Sequence, residues 1–101
     1  MARTHAFAVV ELTNRFKKSY AKLSVEVADQ CDDALADLVR DPLSPGLRIK
    51  PIRPSNVYYE ARVNRSDRLI IYPVSNTAYV MDIVTHNEIT KWGNESAPDT
   101  G

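Results

Sequence analysis

The sequence predicts a single α+β domain in which two N-terminal helices pack on one face of an antiparallel, mostly meander β-sheet built from the C-terminal half. Three observations predict it. Apolar residues between Leu12 and Val39 recur at helical spacing. Those between Val57 and Thr85 alternate with polar residues as in strands, and two short turn strings, Asn64-Arg65-Ser66-Asp67 and Ser75-Asn76-Thr77, divide them. The chain of 101 residues has room for one core and not for two.

The elements follow in order. Ala6 to Val10 is a short apolar, partly β-branched run, a first strand. Leu12, Phe16, Tyr20 and Leu23 then form a stripe at i, i+4, i+8 and i+11, with Arg15, Lys17, Lys18 and Lys22 on the other faces, which is a half-buried helix. Ser24 is placed to cap a second helix, with Glu26 in its first turn. That helix carries Val27, Cys31, Leu35 and Leu38 inward and Asp29, Asp32, Asp33, Asp37 and Arg40 outward. Pro42 disfavours helical backbone at Asp41 and so ends the helix near Arg40.

Leu47 to Ile52 alternates, and Pro51, which has no amide hydrogen to give a ladder, places this strand at a sheet edge. Val57 to Asn64 turns Val57, Tyr59, Ala61 and Val63 toward the helices. The same alternation turns Tyr58, Glu60 and Arg62 to a polar face that stays open. Arg68 to Val74 and Ala78 to Thr85 complete the meander. The domain is expected to span residues 1–92, and residues 93–101, polar and without periodicity, to be a disordered tail.

Composition narrows the function classes. Hydrophobic residues make up 44% and charged residues 26%, a globular balance. No apolar run approaches the ~20 residues that span a bilayer, and the N-terminus lacks a signal-peptide pattern. A single cysteine, Cys31, on an apolar helix face fits a reducing compartment, so the expected location is cytoplasmic. One cysteine with His5 and His86 far apart gives no metal-ligand spacing, and no cofactor is expected. The formal net charge is zero, but residues 46–70 hold six basic and two acidic side chains, a local anion-binding segment in a neutral chain.

Chemistry can collect at the open face. The hairpin brings Arg62 toward Arg68, with Arg65 at the turn, and the last strand delivers His86 near the start of the Arg68 strand. A base, a cation and an acid are what phosphodiester cleavage by an RNA 2′-hydroxyl requires, and Glu60, Arg68 and His86 supply those types. Glu60 with Arg62 or Arg68 is equally an ordinary cross-strand ion pair, and His86 a strand-end hydrogen-bonding group.

Several strings in this order resemble the RelE/ParE superfamily of toxins from bacterial toxin-antitoxin pairs. They are Asp41-Pro42, Pro45-Gly46-Leu47, Tyr58-Tyr59-Glu60-Ala61-Arg62-Val63-Asn64, Arg68-Leu69-Ile70 and Thr85-His86-Asn87-Glu88-Ile89-Thr90-Lys91-Trp92. The resemblance implies a RelE-like sheet of about four strands with two helices on one side, and a cognate antitoxin that wraps the toxin. It also implies ribosome-dependent cleavage of mRNA. In that reading Arg68, His86 and Glu60 are catalytic, and Arg48, Lys50, Arg53, Arg62 and Arg65 hold the RNA backbone. Thr90 stands where the family pattern often has tyrosine, and Tyr58 and Glu60 where one member type has lysines. The alternatives are a ParE-like toxin that inhibits DNA gyrase without cutting RNA, and a noncatalytic antitoxin-binding module.

Overall fold

The computed structural model describes residues 7–42 and 44–98. Strand β1 (Val9–Leu12) leads into helix α1 (Asn14–Tyr20) and helix α2 (Val25–Arg40). Strands β2 (Lys50–Pro51), β3 (Tyr59–Arg62), β4 (Asp67–Val74) and β5 (Thr77–Thr85) follow, then a 3₁₀ turn at His86–Glu88 and helix α3 (Ile89–Gly93). The sheet order is β1-β5-β4-β3-β2. Strands β2 to β5 form the antiparallel meander, and β1 joins the far edge parallel to β5.

Local chemistry sets the boundaries. The Phe16 amide donates to the Thr13 hydroxyl oxygen at 3.2 Å, starting α1, while the same hydroxyl lies 2.8 Å from the Val80 carbonyl and pins the helix to β5. This cap is why the first helix begins at Asn14, with Leu12 still in β1. Ser24 caps α2 through the Val27 amide, and α2 ends at Arg40, ahead of Asp41 and Pro42. Strand β2 is only two residues long, because Arg48 adopts left-handed backbone (φ 47°) just before it. It does hold the sheet edge, where Pro51 costs no ladder bond. Of the expected first strand, Val9 and Val10 are strand residues, and Ala6 lies outside the described residues.

Helices α1 and α2 cover one sheet face. Phe16, Cys31, Ala34 and Leu38 pack there on Ala61, Leu69, Ile71 and Val80, with Tyr59 and Val63 against them. Burial beside Asp32 and Asp67 pushes the Cys31 thiol up to about 12, in keeping with a packing role.

The second face corrects the expectation of an open polar surface. Ile52, Tyr58, Ile70, Val84, Ile89 and Trp92 form a second apolar cluster on it, and Val57 packs with that cluster. The reason is α3, which is too short to show helical periodicity yet carries two large apolar residues back over the sheet. Tyr58, read as part of the polar face, is buried, and its hydroxyl donates to the Ser96 carbonyl at 3.0 Å. Gly93, placed by sequence at the head of the tail, is buried and closes α3. Its carbonyl accepts from the Ser55 amide. Residues 99–101 of that tail lie outside the described residues.

Candidate active site

The hairpin between β3 and β4 is built by Asn64. Its side-chain oxygen accepts from the Ser66 and Asp67 amides, each at 2.8 Å, and its amide nitrogen donates to Asp67 and to Gln30 of α2. This register places Arg62 directly opposite Arg68, and Arg68 opposite Val84 of β5. At the end of β5 the His86 amide donates to the Ser66 carbonyl at 2.7 Å, so the histidine is fastened to the hairpin tip. Glu88 holds the turn that carries it, its carboxylate accepting from both the amide and the hydroxyl of Thr85 at 3.0 Å. Those two hydrogen bonds hold the Glu88 carboxyl below its ordinary range.

Arg65, Ser66, Arg68, Thr85, His86 and Asn87 line an open recess of about 450 Å³ at this end of the sheet. Two guanidinium groups and an imidazole therefore share one concavity, a geometry suited to a phosphate with a proton-transfer group beside it. Arg68 is held firmly. Nη1 donates to the carbonyls of Asn64 (2.7 Å), Asp67 (3.0 Å) and Arg65 (3.3 Å), and Nε lies 3.7 Å from Glu60.

Glu60 is buried and does not line the recess; it sits beside Arg68 within the face, opposite Ile70 and Lys50. The other basic residues are spread out. Arg48 and Lys50 are exposed at the β2 edge, Arg53 is exposed in the turn after it, and none of the three borders the recess. Arg62, half-buried, borders instead a groove shared with Asp33 and Asp37 of α2.

The structure adds groups to this face that the sequence pattern did not reveal. Arg15 reaches from α1 to Asp82 of β5 at 3.0 Å, and its guanidinium lies 4.6 Å from the Trp92 ring centre. Asp82 is buried and also accepts from the Ile83 amide. Tyr72 and Tyr79 face each other across β4 and β5 on the same side. Alternation within β4 carries a signal for Tyr72, two residues beyond Ile70; nothing local links Arg15 to Asp82.

Comparison with solved structures places this architecture. The chain superimposes on the RelB-RelE antitoxin-toxin complex of Methanococcus jannaschii with a TM-score of 0.66, at 16% identity over 81% of this chain and 96% of that one. The RelBE2 toxin-antitoxin complex of Mycobacterium tuberculosis gives 0.64, at 22% identity over 77% and 96%. YafQ of E. coli gives 0.63, at 19% identity over 79% and 94%.

The chain has a RelE-like fold. No protein-family model matches it, and no curated protein matches it in sequence. The RelE-like architecture contains both helices and the sheet read from sequence. No helix among the described residues is long and apolar enough to cross a membrane.

Proposed function

We propose that this chain is the toxin of a toxin-antitoxin pair, that it cleaves mRNA on the ribosome, and that a cognate antitoxin neutralises it. One observation carries the reading: Arg65, Arg68 and His86 converge on a single open recess at the end of the sheet, in a fold shared with RelE and YafQ toxins. In the reaction a base removes the proton of the 2′-hydroxyl, the O2′–P bond forms as the P–O5′ bond breaks, and the leaving 5′ oxygen is protonated. His86 performs one of these proton transfers and water the other. Arg68, immobilised by three carbonyls and by Glu60, stabilises the charge that gathers on phosphorus oxygens in the transition state. Glu60 acts through Arg68 as a positioning residue. Arg65 and Arg62, with Arg48, Lys50 and Arg53 along the β2 edge, supply phosphate contacts.

The test is single-turnover cleavage of mRNA on programmed ribosomes, with ribosome affinity measured separately and folding checked by thermal unfolding. Arg68→Ala lowers cleavage by ~10² or more, the size of effect seen on removing one such donor, and changes affinity little. His86→Ala acts in the same direction and more mildly. A second reading, a ParE-like inhibitor of DNA gyrase, draws on the way Nη1 of Arg68 is committed to the hairpin carbonyls. Wild-type protein that cuts nothing on ribosomes yet blocks gyrase supercoiling replaces the first reading with the second.

A further inference from the structure

The second sheet face carries a feature that cleavage chemistry does not use. Four aromatic rings follow one another across it: Tyr79 and Tyr72 with centres 6.4 Å apart, Tyr72 and Tyr58 at 5.7 Å, and Tyr58 and Trp92 at 4.9 Å in an edge-on contact. Tyr58 and Trp92 are buried and form the floor, while Tyr72 and Tyr79 remain partly exposed. Tyr72 follows Arg68 by four residues on the same face of β4, a separation of about 13 Å along the strand. The row thus crosses the strands at the level of Tyr72, about four residues along β4 from Arg68.

We propose that Tyr72 and Tyr79 are a stacking platform for unpaired bases of the single-stranded RNA whose phosphate occupies the recess. This deepens the nuclease reading and rests on it. Stacking on tyrosine requires no particular base, because every base has a π-face. The buried neighbours fix the two rings in advance, so little side-chain entropy is lost when a base settles on them.

The charge around the row suits a phosphodiester strand. Arg15, its side chain 65% exposed, lies over Trp92, and Lys50, opposite Glu60, lies at the β2 edge of the face. The two buried carboxylates there are engaged, Asp82 by Arg15 and Glu60 by Arg68. Two further acidic groups border the row, Glu95, whose charge acts on Tyr58, and Glu11, opposite Tyr79 in β1. A cationic border around aromatic rings is the combination that single-strand binding uses.

The experiment measures binding of the full chain to a short single-stranded RNA oligonucleotide and to an abasic strand of the same length, by fluorescence anisotropy over a range of salt. Wild type should prefer the base-bearing strand. Tyr72→Ala and Tyr79→Ala should each weaken that binding about tenfold, leave abasic binding unchanged, and keep the salt dependence, since no phosphate contact is lost. Tyr72→Phe and Tyr79→Phe keep the ring and should bind like wild type. If an alanine variant does not fold, the leucine variant fills the same space without a π-face and should lose the same affinity. Wild type that cuts mRNA on ribosomes but binds both strands equally overturns the platform alone. Folded leucine or alanine variants that bind as wild type do the same. A wild type that cuts nothing and binds neither strand overturns the platform and the nuclease reading together.

Discussion

The two faces of the sheet are made in different ways. On the helix-covered face Phe16, Leu38, Leu69, Ile71 and Val80 are almost wholly buried among other apolar groups. On the other face, Ile70, Val84, Ile89 and Trp92 share the surface with two buried carboxylates, Glu60 and Asp82, each beside an arginine. Burying ionised groups costs several kcal/mol apiece before pairing offsets it, and apolar residues of similar volume would serve stability as well or better. The first face is therefore organised for folding. The second retains charges that folding does not require, and it is the second that opens into the recess at His86.

The sharpest way to break this contrast is on the helix side. Phe16→Ala should destabilise the chain by about 3–5 kcal/mol, read as a lower midpoint in urea denaturation, because the ring is buried in the helix-covered core. A loss below ~1 kcal/mol would mean that the helix-covered face does not carry the fold.

A smaller effect is expected where the second face is fastened. A Cβ on Gly93 would overlap the Arg53 carbonyl oxygen, closer than a side chain can sit. Gly93→Ala must therefore move α3 or the turn at Arg53, at a cost of roughly 1–3 kcal/mol. Because Trp92 is the only tryptophan, its emission reports the seating of α3 directly. A red-shifted emission with the helix-side core still folded is the expected result. Unchanged emission and stability would show that α3 is not closed through this contact.

How far each face could be read from sequence follows from the same contrast. Helix α2 was legible nearly to the residue, because Ser24 caps it and Asp41-Pro42 stops it by local steric and hydrogen-bonding rules. The pairing of Arg62 with Arg68, and the approach of His86 to the hairpin, followed from the turn at Asn64 and the alternation of the meander. The cover on the second face was not legible. Helix α3 has five residues, too few for a periodic stripe, so Ile89 and Trp92 gave no sign of where they would pack. The Arg15–Asp82 pair joins positions 67 apart, through a helix direction set by Thr13, and no spacing rule anticipates it. Glu60 was legible as a member of the charged face, but its burial came only with the residues that cover that face.

The smallest effect concerns the exposed turn that carries His86. Protonating Glu88 removes an acceptor shared by the Thr85 amide and hydroxyl. Its carboxyl is held below its ordinary value of 4.5 in the folded chain. The stabilisation of the turn is therefore fully present above the unfolded value and is lost as pH falls through the lowered folded value. Because the group lies at the surface, solvent screens the effect and global stability should scarcely register it. The Thr85 amide proton should. Followed by NMR during an acid titration, its chemical shift should move with a midpoint below 4.5, and Glu88→Gln should abolish that movement while leaving the core resonances of the helix-covered face in place. A midpoint at or above 4.5, or a titration that persists in the glutamine variant, would mean that the turn presenting His86 is held by something other than this carboxylate.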